Sequence, residues 1–209
     1  VESMSIVPIG AAIVDSYKAG HGQPFEGKGT AERYPGIQFS QFSGAEMMAN
    51  KWELSREELD SFAFASHQKA IAATEAGYFD REIVPVKGKL PSGEDEMVTV
   101  DEGIRFDATQ ESLSGLNTLT EEGVITAGTS SQICDGAAAI MIVNDAGLKK
   151  LGLKPRAKII SLALAGDDPV MMLAGPIPAS RTALEKASLS INDIDLYEVN
   201  EAFAPVPLA

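Results

Sequence analysis

The sequence predicts a layered α/β fold, and three observations carry that expectation. In the last third of the chain, apolar runs of strand length at Ala137–Val143, Ala157–Leu164 and Ile194–Val199 alternate with short helical stretches. Before them lies a helical, loop-rich stretch, with one well-capped helix starting at Ser55. The composition is that of an ordinary globular chain: of 209 residues, 44% are hydrophobic and 22% are charged, which leaves little room for disorder.

In chain order, residues 6 to 40 are rich in Gly, Pro and small polar residues and predict a short helix near Gly10–Tyr17 followed by loop. Ser43 to Lys51 carries small and apolar residues at helical spacing. Ser55-Arg-Glu-Glu58 is a capping box: the serine oxygen accepts from the third backbone N–H and Glu58 reaches back. Leu59, Phe62, Ala63, Ala70 and Ala73 follow at helical intervals, and Gly77 stops the helix. Ile83–Lys87 and Met97–Val100 predict two strands joined by Pro91-Ser-Gly-Glu-Asp-Glu96, with Pro85 confining the first to an edge. Residues 105 to 127 read as irregular with a helical turn or two. Asp145–Leu151 is a short helix closed by Gly152, and Pro178–Lys186 is another, with proline in its first turn where no N–H partner is lost.

Charge and cysteine usage narrow the function. A net charge of −13 and a sequence pI near 4.5 repel phosphate backbones and anionic lipid heads, so neither nucleic acid nor membrane is expected as a partner. One cysteine, Cys134, cannot form an internal disulfide, which suits a reducing, cytoplasmic setting. With only His21 and His67 besides, no zinc site of common spacing can form, and no metal is expected. No apolar run reaches the ~20 residues that span a bilayer, and Val1-Glu-Ser-Met-Ser5 lacks the basic and apolar regions of a signal peptide. The phosphate-loop, dinucleotide, nucleophile-elbow and zinc-protease signatures are absent from the sequence. Asp167-Asp168 and Glu94-Asp95-Glu96 sit beside turn residues and read as solvated turns. Cys134, at the entrance to an apolar strand, reads as a small buried residue, and the two histidines as structural or exposed.

One constellation remains. Ser43-Gly-Ala-Glu46 through Trp52-Glu-Leu-Ser-Arg-Glu-Glu58, Thr126-Ala-Gly-Thr-Ser-Ser-Gln-Ile-Cys-Asp-Gly-Ala-Ala-Ala139, Gly175-Pro-Ile-Pro-Ala-Ser-Arg181 and Asn200-Glu-Ala-Phe-Ala204 follow one another in that order. Together with Val1–Ser5, these segments resemble the thiolases, which make or break carbon–carbon bonds next to a CoA thioester. The resemblance implies a thiolase-like layered α/β/α fold, incomplete here, with an inserted and mostly helical loop domain. It implies coenzyme A as co-substrate, no covalently bound cofactor, acyl-CoA or 3-ketoacyl-CoA as ligand, and a homo-oligomer (dimer or tetramer).

Site residues follow from the same resemblance. Ser131 matches the serine that hydrogen-bonds the pantetheine arm; without the family it reads equally well as a turn serine. Arg105 matches an arginine against the adenine end of CoA, where a planar cation stacks and meets phosphate; otherwise it reads as a surface arginine. Asn200 matches the asparagine that holds a water donating to the thioester oxygen as charge builds there, and its rival reading is a helix cap. Met172 and Phe203 match apolar positions lining the acyl pocket and read as well as plain core. Small residues at Ala127-Gly128 and Gly136–Ala139 allow close approach of a backbone or a thin ligand arm.

Thiolases work through an acyl-cysteine, with a histidine activating the thiol and a second cysteine moving a proton. The resemblance puts the nucleophile upstream of Val1 and the other two downstream of Ala209, so we expect a piece of a longer enzyme, inactive alone, or else a non-catalytic CoA-binding protein. Residues 1–5 would end the N-terminal half-domain, 6–128 form the loop domain, 129–155 return to the N-terminal half-domain, and 156–209 open the C-terminal one. Phe39-Ser-Gln-Phe42 departs from acetoacetyl-specific members, where a histidine and a methionine face the acyl group; Pro205 and Pro207 likewise resemble thiolases acting on other acyl chains.

Overall fold

Ser55 begins the longest helix as its capping chemistry requires. Its side chain accepts from the Glu58 N–H at 3.2 Å and the Glu58 carboxylate accepts from the Ser55 N–H at 2.8 Å. These two bonds satisfy donors that a helix start otherwise leaves open. In this computed structural model, which describes residues 1–90 and 92–209, the helix runs Arg56–Glu75 and stops before Gly77, whose φ of +72° is left-handed. In chain order the elements are β1 (Glu2–Ser3), α1 (Ala11–Lys18), α2 (Lys28–Arg33), α3 (Gln41–Lys51), α4 (Arg56–Glu75), β2 (Val86–Lys89) and β3 (Asp95–Val98). After them come α5 (Gln110–Ser114), a 3₁₀ turn at Ala127–Thr129, β4 (Asp135–Gly136), α6 (Asp145–Leu151), α7 (Pro176–Ala187), a second 3₁₀ turn at Ile191–Asp193 and α8 (Pro205–Leu208).

The chain forms two units, one of Val1–Gly44 with Ile133–Val199, the other of Ala45–Gln132 with Asn200–Ala209. The second unit holds the better core. Leu59 and Ala63 of α4, Leu113 of α5, Ile125 and Phe203 are buried there. A carboxylate fixes the loop beside that core: Glu46 accepts from the backbone N–H groups of Val124 at 3.0 Å and Ile125 at 3.0 Å, and from the Thr120 hydroxyl at 2.9 Å. Gly123 makes room for it, since a Cβ there would lie 2.1 Å from the Glu46 carboxylate.

The hairpin of that unit is displaced from expectation. Strands expected at Ile83–Lys87 and Met97–Val100 lie instead at Val86–Lys89 and Asp95–Val98, with Val86 opposite Val98 and Lys89 opposite Asp95. Pro85 has no N–H for the ladder, so pairing starts after it. The exposed Lys89–Asp95 ion pair, 3.1 Å long, sits at the turn end. The expected connecting turn starts at Pro91, which lies outside the described residues.

In the first unit, β1 pairs with β4 antiparallel, Glu2 opposite Gly136 and Ser3 opposite Asp135. Asp135 accepts from both the N–H and the hydroxyl of Ser5. The hydroxyl bond first, then the backbone bond, hold its carboxyl below the usual range. Helix α6 forms where expected, and α7 spans Pro176–Ala187 and not the expected Pro178–Lys186. Asn144 caps α6 through the Gly147 N–H at 2.9 Å, and Gly152 closes it at a φ of +63°. Pro176 stands at the start of α7.

The three long apolar runs are the main correction. Ala137–Val143, Ala157–Leu164 and Ile194–Val199 form no ladder, and they are exposed where burial on both faces was expected: Ile140 by 88%, Leu164 by 98% and Leu196 by 89%. A strand needs a neighbouring backbone for its N–H and C=O groups, and among the described residues the two sheets have two short strands each. Cys134 is corrected with them. It is exposed, because the strand that was to bury it is unpaired.

Candidate functional site

The segment Thr126–Gln132 is held rigidly from both ends. Thr126 and Thr129, both buried, form a reciprocal cap around the 3₁₀ turn: the Thr126 N–H donates to the Thr129 hydroxyl at 2.9 Å and the Thr129 N–H to the Thr126 hydroxyl at 3.3 Å. The chain then turns extended and pairs with the Asn200–Ala204 segment. The Ser131 N–H donates to the Ala202 carbonyl at 2.9 Å, the Ala204 N–H donates to the Thr129 carbonyl at 2.9 Å, and Ser130 bridges Phe203 antiparallel. These rungs bring Ser131 beside the Asn-Glu-Ala-Phe motif.

Individual side chains sort as follows. Ser131 and Asn200 are exposed, whereas Phe203 is a core residue at 3% exposure. Ala204, and not Asn200, occupies the cap position of α8, so the amide of Asn200 is not used as that helix's cap. Met172 belongs to the other unit. It is 37% exposed and has a φ of +49°, a left-handed conformation uncommon outside glycine. The Asp168 carboxylate holds that turn by accepting from the N–H groups of Val170 at 2.7 Å and Met171 at 3.1 Å, the turn role read for the acidic pair. Gly44 lets the turn approach, because a Cβ there would stand 2.5 Å from the Met171 carbonyl oxygen.

Arg105 lines an open cleft of about 330 Å³ together with His67, Ser112, Gly128, Ser130 and Gln132. The Gln132 amide donates to the Gly103 carbonyl and so ties the Arg105 loop to the Thr126–Gln132 segment. The Arg105 N–H donates to Nδ1 of His67 at 3.3 Å. Burial pushes the His67 pKa down, the Arg105 charge adds to this, and Glu201 opposes it. In the neutral ring, with Nδ1 accepting, Nε2 carries the proton. One residue after Asn200, Glu201 accepts from the Ser66 hydroxyl at 2.8 Å, anchoring that segment on α4. Gly128 is the close-approach glycine of the cleft, since a Cβ there would stand 2.6 Å from Leu113 Cδ2 and 2.8 Å from Leu116 Cδ1.

A guanidinium, an imidazole, hydroxyls and an amide around an open groove suit a polar, anionic ligand, with the Asp107 carboxylate the one acidic group on the lining. A larger cleft of about 490 Å³ lies at the start of α4 but is lined by Glu57 and Glu58, which repel such a ligand. Chemistry therefore favours the Arg105 cleft over the roomier one. Among the described residues no cluster of three or more His, Cys, Asp or Glu side chains is placed to hold a metal, and no helix is long and apolar enough to cross a membrane.

The sequence reads His67 as structural or exposed and does not single out Gln132. A signal for His67 was present: Arg56, Asp60, Ala63 and His67 recur at helical intervals along α4, one stripe on one face.

Comparison with known proteins identifies the family. Residues 1–146 match the model of the thiolase N-terminal domain and residues 153–209 that of the thiolase C-terminal domain. The chain is 44% identical over 210 aligned residues to a steroid 3-ketoacyl-CoA thiolase of Mycobacterium tuberculosis, covering 100% of this chain and 50% of that protein. An acetyl-CoA acetyltransferase of Paracoccus denitrificans is also 44% identical, over 100% of this chain and 54% of its own length. Among solved structures, the Bacillus anthracis acetyl-CoA acetyltransferase superposes with a TM-score of 0.77 at 39% identity, over 83% of this chain and 44% of that one. Human mitochondrial 3-ketoacyl-CoA thiolase gives 0.75 at 42% identity, over 79% and 42%. The chain spans about half the length of the curated relatives it matches. Its fold is the thiolase-like α/β fold in part, and the chain belongs to the thiolase family.

Proposed function

We propose that this chain is the middle portion of an acyltransferase that moves acyl groups between CoA and 3-ketoacyl-CoA through an acyl-cysteine. The observation that carries the reading is the Arg105 cleft closed along one side by Thr126–Gln132, which pairs with the Asn-Glu-Ala-Phe segment. In this reading Arg105 meets the phosphate-bearing adenine end of CoA, Ser131 bonds the pantetheine arm, and Asn200 holds the water that donates to the thioester oxygen. Phe203 backs that site from the core of the same unit, at 3% exposure. The thiol nucleophile and its histidine lie in the rest of the longer protein, and the 209-residue chain alone is inactive.

The half-domain division at 5, 128 and 155 belongs to the same proposal. So does the pairing of Ala137–Val143, Ala157–Leu164 and Ile194–Val199 into buried sheet by strands outside this chain. Three exposed apolar runs are what such a partition leaves behind. A cytoplasmic homo-oligomer completes the picture.

The test is a thiolysis assay on the full-length protein with a 3-ketoacyl-CoA and free CoA. Arg105→Ala raises KM for CoA, and Asn200→Ala lowers kcat by roughly a hundredfold, the scale of one lost oxyanion donor. Absence of thiolysis by the full-length protein, with CoA still bound, would instead support a non-catalytic CoA-binding protein.

A further inference from the structure

The floor of the Arg105 cleft is made by side chains on a very short helix. Ser112 and Leu113 belong to α5, five residues long, and Leu116 comes just after its cap residue Gly115. A helix of that length cannot hold its own position, because its hydrogen bonds barely repay nucleation. Its N-terminus is fixed by Thr109, which accepts from the Ser112 N–H at 3.0 Å. At its C-terminus the backbone provides little more, the Gly115 N–H donating to the Glu111 carbonyl at 3.0 Å and the Leu116 N–H to the Leu113 carbonyl at 3.1 Å.

Arg56 adds a side-chain clamp to that end. Its Nη2 donates to the carbonyls of Leu113 at 2.9 Å, Leu116 at 3.0 Å and Ser114 at 3.3 Å. Its Nε donates to Asp60 at 2.7 Å, one turn along α4. The Asp60 side chain is 7% exposed, so the guanidinium is aimed by a nearly dry carboxylate. Among the described residues Oδ1 of Asp60 finds no hydrogen-bond partner. The carboxylate is thus committed to Arg56 at the cost of an unsatisfied oxygen. Leu113 and Leu116 are also the two side chains that press on Gly128. One guanidinium therefore sets both the floor of the cleft and its packing against the Thr126–Gln132 wall.

We propose that Arg56 is a positioning residue for CoA binding: held by Asp60, it fixes the 113–116 backbone and so the shape of the Arg105 cleft, without touching the ligand. This rests on the reading of that cleft as a CoA site. Donating to a carboxylate through Nε and to carbonyls through Nη2 at once is something an arginine does and a lysine does only in part.

The test is calorimetric titration of the full-length protein with coenzyme A, comparing wild type, Arg56→Met, Arg56→Lys, Asp60→Asn and Arg105→Ala, with KM and kcat measured alongside. Arg56→Met weakens CoA binding by about tenfold, the scale of a lost hydrogen bond to a charged group. It raises KM for CoA and leaves kcat unchanged. Arg56→Lys and Asp60→Asn fall between it and wild type. If Arg56→Met does not fold, the same KM-against-kcat split in Arg56→Lys decides. A folded Arg56 variant that melts earlier but binds CoA like wild type, while Arg105→Ala binds weakly, overturns the positioning role alone. Wild-type affinity in both Arg56→Met and Arg105→Ala overturns the reading of the cleft, and this proposal with it.

Discussion

The backbone N–H of Arg105 donates to Nδ1 of His67 at 3.3 Å, so an imidazole on α4 receives the loop that carries the cleft's guanidinium. That bond requires the unprotonated nitrogen, and it makes His67 the pH-sensitive point of the second unit.

The His67 imidazole titrates below its ordinary value of 6.5, because burial and the Arg105 charge both disfavour the cation. Between the two pKa values the unfolded chain binds more protons than the folded one. The contribution of His67 to stability is therefore complete above 6.5 and is lost as pH falls through the lower, folded value. NMR titration of the imidazole resonances checks this: Arg105→Ala raises the pKa and Glu201→Gln lowers it further. An unshifted His67 contradicts the geometry.

Gly128 has no space for a side chain. With Leu113 Cδ2 2.6 Å and Leu116 Cδ1 2.8 Å from the position of a Cβ, Gly128→Ala forces the floor of the cleft outward. Urea denaturation should show a loss of about 1–3 kcal/mol, the range for overpacking, and CoA affinity falls with it.

Glu46 is the chief fastening of the 120–125 loop. Replacing it with alanine strands the N–H groups of Val124 and Ile125. The expected loss is about 2 kcal/mol, the scale of hydrogen bonds to a charged acceptor. Faster amide exchange at those two residues in Glu46→Ala, with α4 unchanged, is the accompanying signature.

Ser55→Ala removes the cap of α4. Thermal or urea unfolding should show a loss of about 1 kcal/mol. The Glu58 carboxyl, held below its ordinary range first by the Ser55 backbone bond and then by its hydroxyl, returns toward that range in the variant.

Cys134 reports whether the exposed apolar runs are covered in the longer protein. A thiol reagent reacts readily with the exposed Cys134 of the 209-residue chain and slowly with the full-length protein, where added strands bury it. Equal rates count against the proposed sheet.

Local chemistry made part of this legible from the sequence. The capping box at Ser55, the stops at Gly77 and Gly152, and the proline start of α7 are contacts between residues a few positions apart. The β2–β3 register was less accessible, because the missing N–H of Pro85 shifts pairing toward the turn. The three apolar runs have the length and apolar continuity of buried strands, and that pattern says nothing of whether a partner strand is present. Arg105 and Ser131 came from family resemblance. What joins them, through Gln132 and the Ala202 rung, is long-range pairing that no local pattern encodes. Arg56 was read only as part of a cap and emerged as the clamp on α5.

Hydrogen–deuterium exchange of the full-length protein, with and without coenzyme A, tests the central claim most directly. Protection concentrated in peptides covering Gly103–Asp107 and Ala127–Gln132, and abolished by Arg105→Ala, is the predicted result. Protection only elsewhere, or a footprint over Glu57 and Glu58 at the start of α4, would contradict it.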